Sequence, residues 1–194
     1  MPRSTRHPTR RSKSFPVSRA KTQKTIAALL AGGDRRSIGR SEHVAAMVSK
    51  NPALFPDLMA ALWSKDPLVR MRAADAAEKI TRRNRELLLP YKREILGLMA
   101  EAAEQELRWH LAAMVPRLPL DPEERQLVAA LLNAYLDDRS SIVKTFALQG
   151  LADLARDDTS IRADAVELLR EAARIGTPAM KARSRKLLLQ LEHS

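Results

Sequence analysis

The sequence predicts an all-α chain assembled from repeated pairs of helices. Three observations point there. Ala and Leu together number 58 against 15 Val and Ile, a balance that favours helices over strands. Apolar residues recur at helical spacing from Thr25 to Glu192, and nearly all Pro stands at the ends of those periodic segments. A basic residue followed seven positions later by an apolar one recurs at intervals of 30, 38, 36 and 37 residues.

Residues 1–24 (MPRSTRHPTRRSKSFPVSRAKTQK) carry eight Lys or Arg, no acid and three Pro. With almost nothing to bury, this basic arm is expected to be disordered. Two readings stand for it. It is a solubilising tail, or it binds phosphate or another polyanion through Arg3, Arg6, Arg10, Arg11 and Lys13.

From residue 25 onward the text is helical. A short segment at 25–31 precedes Gly32-Gly33, and a second spans about 37–50. Segments at 53–64, 67–81, 87–103, 105–116 and 122–137 follow, then 140–156, 160–175 and 178–192. Breaks at Asn51-Pro52, Asp66-Pro67, Asn84, Pro116 to Pro122, Asp138 to Ser140, Asp157-Asp158 and Gly176 to Pro178 are all turn or cap chemistry. The stretch Asp66 to Arg83 states the unit most clearly. Asp66 is a ready N-cap, Pro67 at the first helical position gives up no hydrogen bond, and Val69, Ala73, Ala76, Ala77 and Ile80 form one buried stripe.

Aligning the second helix of each pair places Arg40, Arg70, Arg108, Lys144 and Lys181 at one equivalent position. A period in the upper thirties with two helices per unit is the signature of an α-solenoid. The stretch 56–80, PDLMAALWSKDPLVRMRAADAAEKI, resembles a HEAT repeat: Pro in the first helix, Asp at the turn, then Val-Arg and paired Ala. Residues 88–115 and 135–155 are similar but looser, with Glu104 at one turn and Lys144 in place of Arg. The resemblance covers 25–192. It implies a HEAT-like α-solenoid of about five helix pairs behind the arm, and it is poor in functional content, because the family hosts scaffolds, transport factors and a few enzymes.

The resemblance also implies that the recurrent basic residue pairs with turn carboxylates between repeats. Arg40, Arg70, Arg108, Lys144 and Lys181 would then meet Asp66, Glu104 or Asp138 in a structural ladder. Arg72, Arg183 and Lys186 lie off the apolar stripe and are expected in solvent, where together with Arg108 they are candidates for binding a partner. Charge sharpens this. The second helices with their turns sum to +8 and the first helices to −5. In HEAT-like solenoids second helices line the concave surface, so a basic trough with an acidic back is expected, and such a clustered potential attracts anions.

Catalytic readings find little to stand on. The chain has no Cys, and its four His show no metal-ligand spacing, so neither a metal nor a cofactor is expected. Trp109 beside Arg108 and His110, with Asp75 or Asp153 on other second helices, is the nearest echo of the HEAT-like alkylpurine DNA glycosylases. Trp63 and Trp109 are otherwise expected to fill gaps between helices. No apolar run approaches the roughly 20 residues of a membrane span and no apolar leader opens the chain, so a cytoplasmic location is expected. The reading that results is a non-catalytic module that binds a polyanion, nucleic acid first, or an acidic protein. A protein–protein scaffold with incidental charge is the alternative, and a glycosylase-like enzyme is the third.

Overall fold

Cap and proline chemistry sets the helix boundaries. A computed structural model describes residues 26–34 and 37–193. The helices are α1 (26–30), α2 (Ser41–Lys50), α3 (Phe55–Ala60), α4 (Pro67–Thr81) and α5 (Lys92–Glu101). They continue with α6 (Gln105–Met114), α7 (Pro122–Tyr135), α8 (Ser141–Ala155), α9 (Thr159–Ile175) and α10 (Pro178–Glu192). Among the described residues there is no strand, and no helix is long and apolar enough to cross a membrane. The fold is all-α. The arm, with Arg3, Arg6, Arg10, Arg11 and Lys13, lies outside the described residues.

Starts are well marked. Asp66 accepts the Leu68 N–H at 2.9 Å, and Asp158 accepts the Ser160 N–H at 2.9 Å. Asp121 and Glu124 form a reciprocal capping box at the start of α7. Three expected segments are shorter than periodicity suggested. The helix expected over 37–50 begins at Ser41, because Gly39 sits at φ +55°. The segment 87–103 divides into a 3-10 stretch, Arg85–Tyr91, and α5, since Pro90 offers no N–H to an α-ladder. The segment 53–64 is likewise a short α-helix between two 3-10 turns.

The even-numbered helices pack in chain order: α2 on α4, α4 on α6, α6 on α8, and α8 on α10. Odd-numbered helices lie against this row, α3 on α4, α5 on α6, α7 on α8, and α9 on both α8 and α10. The paired alanines explain how close the row becomes. Ala73, Ala74, Ala76, Ala77, Ala112 and Ala147 are buried, and their small side chains admit a neighbouring helix. At Gly150 the backbones of α8 and α6 come so near that a Cβ would stand 2.9 Å from the Ala112 carbonyl oxygen.

Candidate functional site

The recurrent basic residue does one job in two repeats. Arg70 donates to the Ser64 carbonyl at 2.6 Å and pairs with Glu104. Arg108 donates to the Ala102 carbonyl at 2.7 Å and to Asp138 at 2.6 Å. Each therefore closes the turn before its own helix and holds the carboxylate that precedes the next even helix. Burial raises the proton affinity of Glu104 and Asp138, but the bonds from these arginines and from backbone amides hold both carboxyls below the usual range.

The column stops there. Lys144 is half-buried and has no carboxylate within 4 Å among the described residues; the equivalent next turn carries Thr177, which caps Met180 instead. Lys181 and Arg40 likewise make no such pair among the described residues, and Asp66 serves only as a cap. Arg108 belongs to the ladder and is not a free cation.

Arg72 overturns its expectation. It was expected in solvent, yet it is 2 % exposed. Its guanidinium donates to the carbonyls of Leu30 (2.8 Å), Asp34 (3.0 Å), Ser37 (3.1 and 3.2 Å) and Gly32. Leaving the apolar stripe took this side chain under a loop, not into water. Arg183 is also corrected, to half-buried: it donates to Gln149 at 2.7 Å and lies 5.7 Å from the Phe146 ring centre. Lys186 is exposed as expected. Trp63 fills no gap; it is an exposed aromatic.

Side chains instead connect across the even row. Asp75 on α4 accepts from the Ser41 hydroxyl of α2 at 2.5 Å and from Lys79 at 2.8 Å. On its other oxygen it faces the His110 Nε2 of α6 at 3.5 Å. The His110 Nδ1 lies 2.6 Å from the Glu106 carbonyl. Trp109 packs on Phe146 of α8 at 5.0 Å between ring centres, and Gln149 joins Arg183 to Asp153. The sequence named Trp109, His110, Asp75 and Asp153 together, and the row does bring the first three near one another. Asp153 lies further along α8, where burial pushes its carboxyl above the usual range.

Burial also raises the proton affinity of Asp75, yet hydrogen bonds from His110, Lys79 and Ser41 win and hold the carboxyl well below the usual range. A carboxylate with a depressed folded value stabilises the fold above its unfolded value, about 3.9, and loses that contribution as pH falls. Asp75→Asn is therefore expected to lower the urea midpoint at pH 7 and to lower it by clearly less near pH 2.5, where part of the contribution has gone. An equal deficit at both pH values would mean that the carboxylate charge does not matter.

A second cationic cluster sits where α2 and α4 end. Lys79, Arg82 and Arg83 line a cleft of about 510 Å³ with Ala45, Ala46 and Ser49. Its lining contains no carboxylate. Lys79 and Arg82 lean on Asp75 and Glu78, while Arg83 is exposed and has no carboxylate within 4 Å among the described residues. Lys50, in the last turn of α2, adds an exposed cation beside Ser49. Adjacent arginines at a helix end, the Thr81-Arg82-Arg83 signal, mark this cluster in the sequence, but a column drawn through the starts of helices passes it by.

No family model matches the chain, and no curated protein matches it. Two solved structures are similar, both crystal structures of engineered proteins from the Northeast Structural Genomics Consortium. One has a TM-score of 0.62 at 17 % identity, covering 90 % of this chain and 81 % of the other. The second has a TM-score of 0.59 at 17 % identity, covering 89 % and 81 %. At that identity the likeness speaks to the all-α fold alone.

Proposed function

We propose that the chain is a HEAT-like α-solenoid that acts as a non-catalytic binding module for a polyanion, nucleic acid first. Support for the solenoid comes from the repeat in the sequence and from even helices that pack in chain order with odd helices against them. The observation that carries the function is the α2–α4 cleft, which gathers Lys79, Arg82 and Arg83 without a carboxylate in its lining. Phosphate groups suit such a cluster, because charge contacts position a nucleic acid without reading its bases. The eight cations of residues 1–24 would extend the contact. This moves the interface from Arg72, Arg108 and Arg183 to the helix ends, where the exposed Arg83 and Lys50, with no carboxylate within 4 Å among the described residues, stand beside the paired Lys79 and Arg82.

The test is a fluorescence-anisotropy titration against duplex and single-stranded oligonucleotides at two salt concentrations. Lys50→Glu with Arg83→Glu is expected to weaken binding about tenfold or more at low salt and to reduce the salt slope by about two. Arg93→Glu with Arg139→Glu, two exposed cations elsewhere, is the control. Equal losses from both variants would reduce the cleft to a net-charge effect. Absence of binding by the unaltered protein at low salt would end the polyanion reading and leave the protein scaffold.

A further inference from the structure

A cavity of about 640 Å³ opens between α7 and α9, with no lining residue in common with the α2–α4 cleft. Its apolar lining comprises Leu136, Leu148, Leu168, Ala172 and Met180, with Ile175 at the edge. Its rim is acidic. Asp137, Asp164, Glu167 and Glu171 line it against one base, Lys144. All four carboxylates are exposed, and none has a cation within 4 Å among the described residues. On α9, Asp164, Glu167 and Glu171 follow one another at steps of three and four, so neighbouring like charges repel by about 0.2–0.5 kcal/mol per pair. Ile175, 61 % exposed, stands at the end of that face. An apolar floor ringed by unpaired carboxylates fits an extended peptide with apolar residues at its centre and cations on both sides.

The chain carries such a peptide. Alternate side chains of an extended strand share one face. Counted that way, residues 11–21 present Arg11, Lys13, Phe15, Val17, Arg19 and Lys21 on one side. The two apolar residues lie in the middle, and two cations flank them at each end. Pro16 favours the extended form, because a residue before proline is pushed out of the helical region. Reach agrees as well. Leu30 bonds Arg72 at the α2–α4 end of the row, and the groove lies two to three helix spacings on, about 16–30 Å at 8–10 Å per spacing. The nine-residue step from Ile26 back to Val17 spans about 30 Å when extended.

We propose that the α7–α9 groove docks residues 11–21 of its own chain, with Phe15 and Val17 on the floor and the flanking cations against the four carboxylates. This rests on a different face and different residues from the polyanion cleft. Nucleic acid and groove would compete for the same cations, so the test is run without nucleic acid.

The absence of Cys makes the experiment direct. Ser18→Cys in the full chain carries a nitroxide, and paramagnetic broadening is read on backbone amides of the isotopically labelled protein. Amides of residues 164–175 are expected to lose most of their intensity at low salt. Intensity should return when Asp164, Glu167 and Glu171 are replaced by Lys, and also with Phe15→Ser, which changes no residue that lines the groove. No selective broadening on α9 would overturn the proposal. So would broadening that survives both variants, or broadening that disappears on dilution with unlabelled copies, which would mean contact between molecules.

Discussion

Arg72→Ala is expected to loosen the whole amino-terminal end of the fold. A single guanidinium holds the Leu30 carbonyl at the end of α1 and three carbonyls, of Gly32, Asp34 and Ser37, before α2. Hydrogen bonds to a charged group contribute about 1.5–3 kcal/mol each, and buried acceptors left without a partner carry their own penalty. Several of these carbonyls sit on exposed residues and regain water, so the net loss is set at about 3 kcal/mol or more. Urea unfolding should show it, and amide exchange should speed up most in 26–50. Gly39 provides a cross-check. A Cβ there would stand 2.6 Å from the Arg72 guanidinium carbon, at φ +55°. Gly39→Ala should therefore cost more in the unaltered protein than beside Arg72→Ala, where only the backbone strain remains. A loss below about 1 kcal/mol from Arg72→Ala would mean that the side chain is free in water, as periodicity alone suggests.

That contrast shows which parts of the molecule are written locally. The α4 boundaries at Pro67 and Thr81, the Asp66 cap and the α10 span at 178–192 follow from neighbouring residues, and the structure places them where sequence does. The buried alanine stripe is legible for the same reason. The partners of Arg70 and Arg108 are legible through the repeat, which sets Glu104 and Asp138 a fixed distance downstream. Arg72 is not, because its acceptors belong to a glycine turn 35 to 42 residues earlier. Ties along the odd helices, Lys92 to Glu124 and Arg125 to Asp158, are hidden likewise, since each joins exposed-looking charges from different helices. The cleft and the groove emerge only where two helices leave space between them. A charge count by helix finds neither. It sees the acidity of α9 but not the leucines interleaved with it.

Glu78→Ala is the second large effect, and it tests how the even helices are joined. Glu78 is 2 % exposed and carries a full set of partners. Arg82, one turn on, meets both its oxygens at 2.8 and 2.7 Å. Arg117, from the 3-10 turn that ends α6, meets one oxygen at 2.5 Å and donates to the Glu78 carbonyl and the Thr81 hydroxyl. Burial raises the proton affinity of Glu78, but the two arginines hold its carboxyl below the usual range. Removing one member of a buried ionic cluster typically costs on the order of 3–5 kcal/mol, because the partners stay behind uncompensated. The two arginines are not equivalent. The Arg82 side chain is 59 % exposed and can return to water, whereas Arg117 is 24 % exposed and is fixed against α4. A double-mutant cycle in urea should therefore give Glu78 a stronger coupling to Arg117 than to Arg82. The sign with pH follows from the depressed carboxyl: the contribution is full above the unfolded value, about 4.3, and fades as pH falls below it. If instead Arg82 couples more strongly, Glu78 is a reinforcement within α4 and not a tie between α4 and α6.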